Sequence, residues 1–294
     1  MKDSKVIFNF RVIIHTAQML SDTLDNVDRL EKINSKPYII KHNARPTKKG
    51  YLFPLNANKL YDEEINTLKG FLTAIKQIQA DLNISEWVFD RVDFAFDTTL
   101  KYDDIFKYSL FIICLLSEIT GIKNAIDIQD VNTKKKRALT LKNSAFEFQI
   151  YDKALESEYK HPYSRFEFRF KNVRSTDIYG LTERLQRYIN DLSKSMQRVE
   201  NQRVNDLFAL WEQESKTGCT TQTKNFSEFV RRYSNDIFTR DVAKGLYTKI
   251  YNGNFDSWLK WFRRNNNIEF INKTEIESIA KEMKTALNLY IENR

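Results

Sequence analysis

Polar and apolar positions change their period several times along this chain. Two stretches alternate strictly: RVDFAFD at Arg91–Asp97 and YSRFEFRFK at Tyr163–Lys171. Side chains of a strand alternate between its faces. Val92, Phe94 and Phe96 therefore point one way, and Arg91, Asp93 and Asp97 the other. In the second stretch Phe166, Phe168 and Phe170 pack inward, while Arg165, Glu167 and Arg169 share the opposite face. Val6–His15, rich in β-branched and aromatic residues, predicts a further strand. Tyr38–Lys41 and Tyr51–Leu55 predict short ones, with Arg45, Lys48, Lys49 and a turn at Gly50 forming a basic hairpin tip. Asn58–Leu82 carries Leu60, Ile65, Leu68, Leu72, Ile75 and Ile78 at near-helical spacing, with Asp62, Glu63 and Glu64 complementing the helix dipole. A strand at Val88–Phe96 follows, then a helix capped by Asp103 or Asp104 and running to about Glu118. A hairpin is expected from Arg137–Leu141, a turn near Lys142–Ser144, and Ala145–Tyr151.

This order predicts an α+β domain over residues 1–177. One antiparallel sheet would carry two helices on one face and leave the other face free for a ligand. Beyond about Asp177 the pattern turns helical. Ile178–Gln213, Phe226–Leu246, Phe255–Phe262 and Ile276–Ile291 read as helices, with a polar break at Cys219–Lys224. A second, helical domain is expected over residues 178–294.

Composition narrows the class. The chain has 294 residues, 41% hydrophobic and 13% aromatic, with only 7 Gly and 4 Pro, which argues for packed domains rather than long linkers. A formal net charge of +8 favours an anionic partner, nucleic acid first. Two cysteines, Cys114 and Cys219, make no disulfide framework. The start MKDSKVIFNF lacks the apolar core of a signal peptide. The longest apolar run, Leu110–Leu116, is too short to span a bilayer. A cytoplasmic protein without a membrane partner is the expectation. There is no Walker A, no GxGxxG and no His-x-His pair.

If the two alternating strands are neighbours, Asp93, Asp97 and Glu167 share one surface with three arginines. Carboxylate oxygens suit Mg²⁺ or Mn²⁺, and arginines beside them suit phosphate. The competing reading is a charged sheet face paired across strands with Arg91 and Arg165. The run Lys134, Lys135, Lys136 and Arg137 is the densest positive cluster and suits backbone phosphates. Phe226–Arg264 interleaves aromatic and basic residues. There the aromatics read best as the buried side of an amphipathic helix, with Arg263 and Arg264 as DNA contacts.

Four segments in order resemble the Rep-trans family of rolling-circle replication initiators and related relaxases. They are NANKLYDEE at Asn56–Glu64, FDRVDFAFD at Phe89–Asp97, FEFQIYDK at Phe146–Lys153 and SRFEFRFK at Ser164–Lys171. The resemblance implies an HUH-nuclease-like domain from a plasmid, phage or mobile element that nicks one strand of an origin or oriT, in some cases a hairpin, through a tyrosine. It implies a divalent metal held by Asp93, Asp97 and Glu167. Lys142, Lys153, Arg91 and Arg165 would position phosphate, and a helicase and a second copy of the chain would be partners. The family's nucleophile position, however, holds Ala138. Tyr151, on the same polar face as Glu147 and Gln149, is the first substitute, ahead of Tyr159 and Tyr163. A protein that binds DNA without nicking is the other outcome, and a protein-interaction module is a third.

Overall fold

The computed structural model describes residues 7–22, 28–60, 65–122, 126–129, 138–158, 163–216, 226–234, 239–252, 255–265, 268 and 270–292. By their contacts these fall into two units. One contains residues 7–103, 122–189 and 281–294, and the other 104–121 and 190–280.

The first unit is built on one eight-stranded antiparallel sheet. Its strands are β1 (Arg11–Ser21), β2 (Arg45–Thr47), β3 (Gly50–Leu55), β4 (Val88–Thr98), β5 (Ile126–Gln129), β6 (Ala138–Lys142), β7 (Phe146–Asp152) and β8 (Ser164–Ser175). Across the sheet the order is β2-β3-β1-β4-β8-β7-β6-β5. The two alternating segments are thus adjacent central strands, with Phe94 opposite Phe168 and Phe96 opposite Phe166. Their phenylalanines form a fully buried apolar face with Phe148 and Ile150 of β7. The short helix α1 (Asp28–Asn34) links β1 to the β2–β3 hairpin. Helix α2 (Leu68–Leu82) packs on the apolar face through Phe71, whose ring stacks on Phe89 at 6.2 Å. Tyr188 lies against Phe146 at 5.2 Å and Phe170 at 6.2 Å. Burying aromatic pairs of this kind adds about 1 kcal/mol each beyond the area they remove from water.

Several boundaries differ from the sequence reading. The first strand is Arg11–Ser21 rather than Val6–His15. Asn9 adopts a left-handed φ of 48°, which interrupts the extended run, and Phe8 and Phe10 stack beside Phe166 instead. Residues Ala17–Ser21 are drawn into the strand by pairing with β3. Tyr38–Lys41 forms no strand: Ile39 makes a single bridge to Leu55, and Ile40–His42 closes a 3-10 turn with Lys41 and His42 left-handed. The basic hairpin tip is present, but its first strand is Arg45–Thr47. Gly50 has φ +109°, and a Cβ there would sit 2.4 Å from the Ser21 carbonyl oxygen, so the tip needs glycine.

Helix α2 begins ten residues later than the apolar spacing suggests. Thr67 caps it by accepting from the Gly70 amide at 3.0 Å, and Asn83 ends it in a left-handed conformation. Leu60 closes a separate 3-10 turn, Ala57–Leu60. Asp62, Glu63 and Glu64 lie outside the described residues.

The second unit is helical. It includes all but the first two residues of α3 (Tyr102–Thr120). A four-residue turn, α4 (Lys153–Glu156), follows β7 in the sheet unit. Helix α5 (Ile178–Lys216) contributes residues from Asn190 onward to the helical unit, followed by α6 (Phe226–Arg232), α7 (Arg240–Tyr251), α8 (Phe255–Arg264) and the start of α9 (Lys273–Glu292). The single helix expected at Phe226–Leu246 is two, because Thr239 starts a new one by capping the Val242 amide. The core of this unit gathers Leu207, Phe226, Phe229, Val230, Val242, Ala243, Leu246 and Trp258. Gly245 lets α7 approach α5 closely, since a Cβ there would meet Val204 Cγ2 at 2.9 Å. No helix among the described residues is long and apolar enough to cross a membrane.

Candidate functional site

The polar face of the sheet is organised as rows running across the strands. One row reads Asp97, Arg165, Tyr151, Ala138 from β4 to β6. The next reads Ala95, Glu167, Gln149, Thr140, and a third reads Asp93, Arg169, Glu147, Lys142. Asp93, Asp97 and Glu167 therefore share one face of two neighbouring strands, as their alternation requires.

Their oxygens are engaged by arginines. Arg91 grips Asp93 with two hydrogen bonds of 2.7 and 2.5 Å. Arg165 grips Asp97 in the same bidentate way at 2.5 and 2.7 Å. Arg169 donates to Glu167 at 2.9 Å, to Gln149 at 3.1 Å and to Glu147, and its Nε lies 3.8 Å from Asp93. Gln149 donates onward to the Thr140 hydroxyl at 3.1 Å. Lys171 completes the set on Glu147 at 3.2 Å. The Arg91–Asp93 and Arg165–Asp97 pairs are charge-assisted with fork-to-fork geometry, among the strongest hydrogen bonds available to a side chain.

The face is also buried, so it is not the free surface that the sequence reading expects. Asp93 is 0% exposed, Glu167 2%, Tyr151 2%, Arg165 3% and Asp97 6%. Burial lifts the Asp93 carboxyl to about 7; Arg91 pulls against that rise and the Glu167 charge adds to it. Burial pushes Glu167 the same way, but the Arg169 charge and hydrogen bond outweigh it and hold that carboxyl near 2. The two acids divide one positive environment unequally.

His15 belongs to this cluster, and the sequence reading passed over it. It occupies a bulge in β1 between Ile14 and Thr16, where the pairing with β4 slips. Its Nδ1 shares a hydrogen bond with the Thr16 hydroxyl at 3.0 Å. Burial, then the Arg165 charge, lowers the imidazole to about 4 against the opposing Glu167, so it is neutral at pH 7.

Several expectations about chemistry meet this geometry. Tyr151 stands beside Ala138 in register, on the face with Glu147 and Gln149. Burial first, then the Glu167 charge, raises its hydroxyl well above the usual phenol value, which keeps it protonated. Lys153 pairs with Glu156 at 2.7 Å and lies 5.9 Å from the Tyr151 ring centre. Lys142 is exposed at the end of the third row. Tyr163 is 45% exposed immediately before β8. Arg263 and Arg264 lie on α8 in the helical unit, not on the sheet. Lys134, Lys135, Lys136, Arg137 and Tyr159 lie outside the described residues.

A divalent cation does not fit the acids as arranged. Asp93 and Asp97 each spend both oxygens on a guanidinium, and an ion placed among them would face Arg91, Arg165 and Arg169. Among the described residues no group of three His, Cys, Asp or Glu side chains is placed to hold a metal ion.

No protein-family model matches the chain, and no curated protein matches it by sequence. Among solved structures, the rolling circle replication initiator protein from Geobacillus stearothermophilus matches 58% of this chain and 78% of that one, at 9% identity and a TM-score of 0.31.

Proposed function

We propose that this protein binds replication-origin or transfer-origin DNA in the manner of a Rep-trans-like initiator and does not nick it through a metal-activated tyrosine. The observation carrying this reading is that the acids matching the family's metal ligands are neutralised by arginines of the same sheet. Two further features agree. Alanine occupies the position where the family places its nucleophile, and the nearest tyrosine, Tyr151, is buried with a hydroxyl that resists ionisation. An attacking phenol must reach the phosphate and lose its proton. The net charge of +8 and the four resembling segments support DNA as the partner.

The test is incubation with supercoiled DNA carrying candidate origins, with Mn²⁺ present. Binding that weakens steeply with salt, leaving both strands intact, is the expected result. A covalent, proteinase-sensitive adduct would show that nicking survives. Weak, salt-insensitive binding would point to a protein-interaction module instead. A helicase and a second copy of the chain are partners only in the initiator reading, and co-sedimentation on origin DNA tests both.

A further inference from the structure

The helical unit carries a surface that the sheet chemistry does not use. Helix α8 reads FDSWLKWFRR, and its two sides are sharply different. Trp258 is 1% exposed, stacked on Trp261 at 5.1 Å and packed on Tyr247 at 5.7 Å. Trp261 lies against Phe226 at 4.8 Å and donates its indole N–H to Ser227 at 3.0 Å. Phe262 lies against Phe270 at 6.1 Å, with the Arg240 guanidinium 4.2 Å above its ring. These contacts to α6, α7 and the segment before α9 fix the rotation of α8 about its axis.

Fixing that rotation turns Asp256, Lys260, Arg263 and Arg264 outward, and all four are exposed. Positions 260, 263 and 264 are spaced i, i+3 and i+4, so they form one stripe about 6 Å long. Two other cations of this unit serve the fold: Lys273 bridges Glu200 at 2.8 Å and Asp241 at 2.7 Å, and Arg232 holds Glu214 at 3.0 Å. Among the described residues Lys260, Arg263 and Arg264 have no ion-pair partner. Three residues separate α7 from α8, and Asn252 ends α7 in a left-handed conformation. That spacing is common in two-helix elements that lay their second helix on DNA.

From this arrangement we infer that α8 is a double-stranded DNA-binding helix, with Lys260, Arg263 and Arg264 contacting backbone phosphates. The ring orientation selects duplex over single strand. Single-strand binders offer aromatic faces for bases to stack on, whereas the α8 aromatics turn toward their own core. Phosphate contacts need only cations on a rigid helix, which α8 presents. This inference rests on the DNA-binding reading above and assigns its duplex contacts to a different unit from the acid face.

The experiment measures binding of the full chain to labelled duplex and to single strand of equal length, by anisotropy over a series of KCl concentrations. K260Q/R263Q/R264Q should lower duplex affinity about tenfold or more and flatten the log K against log salt slope by about 2–3, since each phosphate contact contributes about 0.9. Asp256→Asn, which removes a negative charge from the same stripe, should raise duplex affinity. A rise cannot come from misfolding, so this variant decides if the triple variant loses helix content. Salt-dependent duplex binding that both variants leave unchanged overturns the α8 assignment while origin binding stands. Tighter binding to single strand overturns the duplex assignment. Wild-type protein with no salt-dependent DNA binding overturns both this inference and the proposed function.

Discussion

Replacing Arg169 with methionine removes the side chain on which the polar face turns. Methionine keeps much of the apolar stem but leaves Glu167, 2% exposed, without its closest cation, and takes away the nearby charge from Asp93. The size of the effect follows from Glu167 itself. Its carboxyl is held near 2 against an ordinary 4.5. That displacement, about 3 kcal/mol of folding free energy, is what remains after burial opposes Arg169, the largest attraction, with smaller help from His15 and Arg165. Breaking one side of a buried ion pair generally costs about 3–5 kcal/mol, which agrees. The sign is set by linkage. A depressed carboxylate contributes its full stability above its unfolded value and loses it as pH falls through its folded value. The gap between wild type and R169M should therefore be widest above pH 5 and close between about pH 4.5 and 2. Urea denaturation across that range measures it. R169M/E167Q, which removes both partners, should recover about 2 kcal/mol or more of the loss at pH 7. A metal site predicts the reverse behaviour: Mn²⁺ would raise the stability of the wild type by about 2.7 kcal/mol at a hundred times its dissociation constant. A cost for R169M below about 1 kcal/mol, or stabilisation of the wild type by Mn²⁺, refutes the ion-pair account.

Two further expectations concern other parts of the molecule. His15 is lowered to about 4 from 6.5, so its contribution is complete above pH 6.5 and disappears as pH falls through 4. About 3 kcal/mol should be lost over that interval, and H15Q, with no titrating ring, should show a flatter stability profile there. In the helical unit, G245A should cost about 1–3 kcal/mol, because the new methyl meets Val204 Cγ2 at 2.9 Å. Pairing it with V204A should return part of that loss in a thermal melt, and a G245A variant as stable as wild type would rule out the close approach of the two helices.

Much of this architecture was legible in the order of residues. Strict alternation in Arg91–Asp97 and Ser164–Lys171 placed the phenylalanines on one side and the charges on the other, and the sheet keeps that division. Alternation could not say what each acid holds. Arg91 reaches Asp93 two residues along its own strand, while Arg165 reaches Asp97 across to the next, a pairing set by the register that places Asp97 opposite Arg165. His15 was hidden for a different reason. It sits where one extra residue breaks the period of two, so the pattern that exposed the other members of the cluster could not include it. The late start of α2 shows the opposite failure. Leu60 and Ile65 happen to continue the helical spacing, but Thr67 supplies the cap and overrides it.

The margins of the sheet have their own consequence. A long open border of amide and carbonyl groups is a template on which a foreign strand can assemble. Here one margin, β2, is a three-residue strand, fully exposed, with Pro46 at its centre contributing no amide hydrogen. The opposite margin, β5, is four residues long. A wide platform with such clipped borders offers a foreign strand little to pair with, which disfavours growth by strand addition.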